Sequence, residues 1–294
     1  MKIESAWTRQ VESGQQPTSS ALRDHLDAVH DNNAGFTEAF AWNCRDANGK
    51  NSYELLADII DQKYHSHILD LGCGSGVLLD LCYQRFGAEL VLSGVDMNGS
   101  ELQLARKRLS HADTNLHQGT AQNLDCFSDS SFDVIFCHWA LTLMDPVGEV
   151  LATTKRLLKE RGIFAAIIDG DPKTAPGYLE VHDIIYEHVQ SKYPDYGVFE
   201  LGDPRVRTAE GLQKLTAEIF EDFDINITPI TLSFNKTPSV LAREAAGFFY
   251  ASFVLSPNDF SQLLTHLEKY FITKQQDGIS CFTMPVNRLV VRGN

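Results

Sequence analysis

His67-Ile-Leu-Asp-Leu-Gly-Cys-Gly-Ser-Gly-Val77 is the stretch that decides the fold. Ile68, Leu69 and Leu71 make a short apolar run that stops at alternating glycines. Val77, Leu78, Leu81 and Cys82 then recur on one helical face. That order predicts a buried strand, a tight turn and a helix. Gly72, Gly74 and Gly76 carry no Cβ, so the turn can take positive φ and lie against a ligand. The start of the next helix adds unpaired N–H groups at the same place.

A second strand, Leu90-Val-Leu-Ser-Gly-Val-Asp96, ends in a carboxylate 24 residues after Gly72. In a doubly wound fold an acid at that tip grips ribose hydroxyls, and a carboxylate can accept from both. A dinucleotide fingerprint would need G-x-G-x-x-G. Here the third glycine comes one position early, and Val77 stands in its slot. Asp70, at the end of the first strand, is awkward beside a pyrophosphate but suits a cationic ligand.

Asp70-x-Gly72-x-Gly74-x-Gly76 followed by Asp96 resembles the class I S-adenosylmethionine-dependent methyltransferases, among them the small-molecule members of types 11 and 25. The resemblance covers roughly residues 50–170, within ordinary domain size. It implies a Rossmann-like α/β fold, a doubly wound and mostly parallel seven-stranded sheet in the order 3-2-1-4-5-7-6. It also implies a helical lid over residues 1–50 and a methyltransferase domain over 51–294. Residues 170–222 would be an insertion capping the substrate.

Composition sets the outer bounds. Hydrophobic content of 43% and charged content of 22% are those of a water-soluble globular chain. Glu4 and the lack of an apolar segment argue against a signal peptide, and no apolar run is long enough for a membrane span. None of the six cysteines forms a C-x-x-C pair, which favours free thiols in a reducing cytoplasm and gives zinc no ligand spacing. A net charge of −14 would repel a polyanion, so a broad nucleic-acid surface is not expected.

Along the chain, Ala21 to His30 reads as a helix, and Phe36, Phe40 and Trp42 follow it as aromatics of the lid. Ser52 reads as the cap of a helix over Tyr53–Asp61. Asn98 with Glu101 forms a capping-box pattern for the helix after Asp96. A third strand falls near Asn115–Gln118, and Ser131–His138 is the fourth. Asp145-Pro146 reads as cap and first residue of a helix that Gly162 stops. Ile163–Asp169 is the fifth strand, and the alternation of strands with helices implies a parallel sheet. Tyr178, Val181, Ile185 and Val189 mark a helix inside the insertion, and Thr208 caps another. Phe223–Phe234 and Ile279–Val291 read as the last two strands, an antiparallel pair, with Pro285 suggesting a bulge or an edge.

The resemblance also assigns a site for S-adenosylmethionine. Asp70 and the backbone of Gly72, Cys73 and Gly74 would hold its methionine end. Asp96 would hold the ribose, with Met97 on one side of the adenine and Ala121 and Gln122 on the other. Cys137 and His138 would line the methyl side. Thr120 stands where the family usually has an acid, a departure that moves the adenine amino contact to a carbonyl or to Gln122. No residue is assigned as a catalytic base, and His182, Tyr178 and Tyr250 are candidates for the acceptor side. The acceptor would be a small organic molecule, and a homodimer is left open. Other readings are a non-catalytic S-adenosylmethionine-binding module, a metal-assisted O-methyltransferase using Asp169 and Asp171, a protein or nucleic-acid methyltransferase, and a dehydrogenase. A nucleic-acid amino methyltransferase would show Asn/Asp-Pro-Pro-aromatic after strand four, where this chain has Cys137-His-Trp-Ala140.

Overall fold

The structure, a computed structural model, describes residues 3–199 and 201–293. Three helices come first: α1 (Ala6–Glu12), α2 (Ser19–Asn33) and α3 (Glu38–Asn43). The alternating core follows, as α4 (Ser52–Ala57), β1 (His67–Leu71), α5 (Val77–Phe86), β2 (Val91–Asp96), α6 (Gly99–Arg108), β3 (Thr114–Gln118), β4 (Phe132–His138), α7 (Val147–Leu157) and β5 (Leu158–Asp169). Then come α8 (Tyr178–Gln190), α9 (Ala209–Ile219), β6 (Asp224–Lys236), α10 (Pro238–Phe248), α11 (Pro257–Lys274) and β7 (Ser280–Arg292).

The seven strands form one sheet in the order β3-β2-β1-β4-β5-β7-β6, as the family resemblance implies. β1 to β5 pair in parallel, and β7 runs antiparallel to β5. This order places β1 and β4 side by side although β2 and β3 separate them in the chain. The strand order reverses there, and the carboxyl ends of the flanking strands border a crevice.

The chain divides into two compact units. One gathers residues 52–171, 202–230 and 286–294; the other gathers 1–51, 172–201 and 231–285. The sequence-level segments 1–50 and 170–222 are thus cut differently, with residues 202–222 grouped with most of the sheet. In the sheet unit, Leu69, Leu71, Ile135, Phe164 and Ile168 pack under Val150, Leu151, Leu212 and Phe220, all fully buried. Each such side chain contributes about 1.5–3 kcal/mol of transfer free energy. In the helical unit, Phe40 is the hub, with ring centroids 4.8 Å from Phe248 and 5.7 Å from both Phe234 and Phe282. Trp42, by contrast, is 43% exposed.

Four local expectations need correction. The first concerns α7, which starts at Val147. Pro146 has an extended ψ of 127° and is itself the cap, so Asp145 lies one residue too far out to cap. Second, Gly162 does not stop that helix, which ends at Leu157. Phe132 and Val134, two apart, pair with Leu158 and Ile163, five apart, so the intervening residues bulge from β5. A Cβ on Gly162 would sit 2.9 Å from the Lys159 carbonyl oxygen, which explains the glycine. Third, α4 is shorter than predicted, and Ser52 is its first residue rather than its cap. Finally, β7 lies inside the sheet, not at its edge. Its pairing with β5 begins at Val286, so the missing N–H of Pro285 costs that ladder nothing. The caps at Asn98 and Thr208 are as predicted, accepting from the amides of Glu101 and Gly211.

Candidate functional site

The tips of β1 and β2 are tied together through the backbone of the glycine turn. Gly72 N–H and Cys73 N–H both donate to the Val95 carbonyl, at 2.8 and 3.0 Å. Gly74 N–H donates to Asp96 Oδ2 at 2.9 Å, and Asn98 N–H to Asp96 Oδ1 at 2.8 Å. Asp96 therefore fixes the turn as well as presenting a carboxylate. It keeps acceptor capacity, because two carboxylate oxygens offer about four lone-pair directions.

This hydrogen bonding changes what the turn can bind. The sequence suggests donors beside the ligand, but the amides of residues 72–74 are already engaged within the protein. What remains is acceptor character, and Asp70 reinforces it. Its side chain is 1% exposed, and Oδ1 has no hydrogen-bond partner among the described residues. Burial, and next the charge of Asp96, push the Asp70 carboxyl well above the usual carboxylate range. An orphaned, desolvated carboxyl next to a second carboxylate suits a cation, not a pyrophosphate.

The glycines serve separate needs. Gly72 has φ +68°, and a Cβ there would lie 2.7 Å from Cβ of Ala140, in the segment after β4. Gly76 has φ +80°, and a Cβ would meet Leu109 at 2.9 Å and Ala105 at 3.2 Å, so this glycine lets α5 pack on the end of α6. Arg108 clamps the same turn, donating to the Ser75 carbonyl and hydroxyl at 2.7 Å each.

The other sequence-predicted residues fall in varied settings. Cys73 is buried, and its thiol is pushed well up by burial and then by Asp96 and Asp70. Met97 is half-buried, and its carbonyl accepts from Gln118 Nε2 at 3.1 Å. Ala121 lies in the core cluster, while Gln122 is half-buried with its carbonyl held by Thr153 Oγ1 at 2.9 Å. Cys137 points into that same core, and burial raises its thiol. Adjacent strand residues point to opposite faces, so His138 lies on the other side.

His138 belongs to a small group that sequence reasoning missed. Its Nε2 is 2.8 Å from Ser52 Oγ, and Tyr53 stacks on the ring at 4.0 Å with an interplanar angle of 22°. Its residue surface is only half-buried, but the groups packed on the imidazole strip it of water and push its pKa down to about 3. His138 is therefore a neutral imidazole near pH 7. Next to it, Trp139 takes φ +51°, an uncommon left-handed conformation for a bulky residue, held by Trp139 N–H donating to the Ile167 carbonyl at 2.8 Å. One strand over, burial raises the Asp169 carboxyl, and Arg207 and Thr142 partly offset it. No group of three or more His, Cys, Asp or Glu side chains is arranged for a metal among the described residues. His182, Tyr178 and Tyr250 lie in the helical unit, where His182 stacks on Tyr186 at 4.2 Å and Tyr250 Oη is 2.9 Å from His30 Nε2.

Comparison with known proteins agrees with this geometry. A family model described as a methyltransferase domain matches residues 62–199. The ubiquinone biosynthesis O-methyltransferase of Saccharophagus degradans is 30% identical over 125 residues, 40% of this chain and 52% of that protein. The ribosomal RNA small subunit methyltransferase C of Haemophilus influenzae is 34% identical over 110 residues, 36% of this chain and 30% of that one. The chain spans about half the length of the first of these curated relatives and less of the second. Among solved structures, phosphoethanolamine N-methyltransferase 2 of Haemonchus contortus with S-adenosyl-L-methionine superposes with a TM-score of 0.55 at 19% identity, covering 92% of this chain and 59% of that one. At that identity the likeness speaks for the fold alone.

Proposed function

We propose that the chain is a class I S-adenosylmethionine-dependent methyltransferase and that it methylates a small organic acceptor by direct in-line displacement. S-adenosylmethionine is the cofactor of this family. The observation that carries the reading is the hydrogen bonding of the turn at residues 72–74. Its amides are engaged, and a buried orphaned carboxyl of Asp70 stands beside Asp96. That donor-poor, acid-rich cradle fits a ligand with a cationic amino group and a sulfonium centre.

In this reading Asp70 and the turn hold the methionine end, and Asp96 holds the ribose. Met97, Ala121 and Gln122 border the adenine and His138 stands at the methyl side, while Cys137, turned into the core, backs the strand behind it. The bound cofactor supplies an activated methyl group with a neutral leaving group. The protein then has little anionic charge to stabilise on departure. Its task is to hold nucleophile and methyl in line, to exclude water, and to keep acceptors around the cation. A neutral His138 can accept or donate one hydrogen bond there without adding positive charge next to the sulfonium.

The choice of a small acceptor rests on the net charge of −14 and on Cys137-His-Trp-Ala140 standing where a nucleic-acid amino methyltransferase would carry Asn/Asp-Pro-Pro-aromatic. We assign selection of the acceptor to segments outside the alternating core. The test is calorimetric titration with S-adenosylhomocysteine and with NAD, then incubation with labelled S-adenosylmethionine and fractionated metabolites. Uptake of S-adenosylhomocysteine with label transferred to a small-molecule fraction is expected. Uptake of NAD in its place would overturn the cofactor reading. Cofactor uptake with no label transferred to any fraction would leave a binding module.

A further inference from the structure

The helical unit contains a cavity of about 160 Å³ that the methyltransferase reading does not use. It is lined by Trp7 and Val11 of α1, by Tyr193, Pro194 and Tyr196 after α8, and by Val254. Trp7 is held on two sides, stacked on His25 at 5.1 Å and edge-on to Tyr196 at 5.4 Å. His25 is fully buried, and burial lowers its pKa to about 4, so it is neutral. Ser5 Oγ accepts from Thr8 N–H at 3.2 Å and lies within hydrogen-bond distance of His25 Nδ1, 3.0 Å away. The surroundings of Trp7 are thus dry and fixed. The ammonium of Lys192, also in the lining, is paired with Asp259 at 3.2 Å and does not call for an anion.

Thr8, Glu12 and Asp195 complete the lining, and one polar atom of the wall is buried without a partner among the described residues. Tyr196 is 4% exposed, and its hydroxyl has no hydrogen-bond partner among the described residues. Buried hydroxyls are nearly always paired, so an orphan in the wall of a cavity points to a missing partner. An apolar cavity of about 150 Å³ is large enough for benzene. We propose that this cavity binds a small phenol-class molecule: one aromatic ring packed against Trp7, Val11 and Val254, with a hydroxyl that pairs with Tyr196 Oη. The site lies wholly within the helical unit and is independent of the proposed methyl transfer.

The test uses the full chain, titrated with phenol and with fluorobenzene by calorimetry and by tryptophan fluorescence. Phenol is expected to saturate and to bind about tenfold more tightly than fluorobenzene, the effect of one buried hydrogen bond. Tyr196→Phe keeps the ring and removes the hydroxyl, so it should weaken phenol to the level of fluorobenzene and leave fluorobenzene unchanged. Val11→Phe should fill the space and weaken both. No saturable phenol binding to the unsubstituted protein overturns the proposal, whatever the variants do. A phenol preference that survives Tyr196→Phe, or phenol affinity unchanged by Val11→Phe, overturns it as well. S-adenosylhomocysteine uptake, measured in parallel, keeps failure here distinct from failure of the cofactor reading.

Discussion

At the scale of single residues, Asp70 places stability and binding in opposition. A carboxylate with a raised folded pKa takes up a proton on folding, so its contribution to stability falls as pH rises from the unfolded value of 3.8 towards the folded one. Asp70→Asn should therefore raise the apo melting temperature near neutral pH, and should weaken S-adenosylmethionine by tenfold or more through the lost charge. Binding that requires ionised Asp70 also releases a proton, so below the raised pKa affinity should climb with pH, and the calorimetric enthalpy should vary with the buffer's ionisation heat. A buffer-independent enthalpy together with unchanged affinity in the variant would remove Asp70 from the site. Asp96→Ala should cost about 1–3 kcal/mol of cofactor affinity, and it also frees the amides of Gly74 and Asn98. The places of these two acids at the ends of β1 and β2 were legible from the apolar runs that precede them. Their hydrogen bonding was not, because the partners of the turn's amides come from β2 and the residues after it. Ser52 was legible only as a helix cap, since its hydroxyl meets a histidine 86 positions away.

At the scale of elements, two joints away from the strand tips carry measurable energy. Asp133 on β4 ties the start of β1 to β5. It accepts from Ser66 N–H at 3.0 Å, from His67 N–H at 2.8 Å, and from Lys159 Nζ at 2.8 Å. Burial alone would raise its pKa, but these donors outweigh it and leave it at about 2. A depressed carboxylate stabilises the fold fully above its unfolded value of 3.8, and that contribution disappears as pH falls through about 2. Asp133→Asn should cost about 2 kcal/mol at pH 7, with the gap from wild type closing between pH 4 and 2 in urea titrations. The second joint is Gly202, with φ +75°, where a Cβ would collide with the Thr142 carbonyl oxygen. Gly202→Ala should cost about 3 kcal/mol in the same assay, because both the backbone and its neighbour must move. A cost below about 0.5 kcal/mol would mean that the loop relaxes freely. The core strands were readable because apolar runs ended at glycines and acids. Gly162 was misread because a glycine after basic residues has the signature of a helix stop, while here it serves a bulge that only the β4 pairing reveals. The need for Gly202 had no sequence signal beyond that of a turn.

At the scale of the whole molecule, the strand order was legible from family resemblance and the alternation of elements, whereas the two-unit division was not. Residues 172–201 and 231–285 join the first 51 through packing that no local pattern encodes. Charge is the global property that bears on the acceptor. The chain carries 39 acidic against 25 basic residues, and its basic run at Arg106, Lys107 and Arg108 ends a helix, where it complements the dipole. Arg108 is further committed to Ser75. Non-specific affinity for nucleic acid comes almost entirely from cations set against phosphates, and reaches Kd values of about 10⁻⁴–10⁻⁶ M in proteins built for it. A chain with this balance should bind a labelled single-stranded RNA more weakly than about 10⁻⁴ M, even at about 50 mM salt, where such attraction is strong. Fluorescence anisotropy of the labelled RNA measures this directly, with S-adenosylhomocysteine present so that any cofactor-linked surface is formed. Saturation at micromolar protein, weakening steeply between 50 and 200 mM salt, would show a local cationic track that the net charge conceals. It would also move the acceptor from a metabolite to a nucleic acid while leaving the roles of Asp70 and Asp96 as they stand.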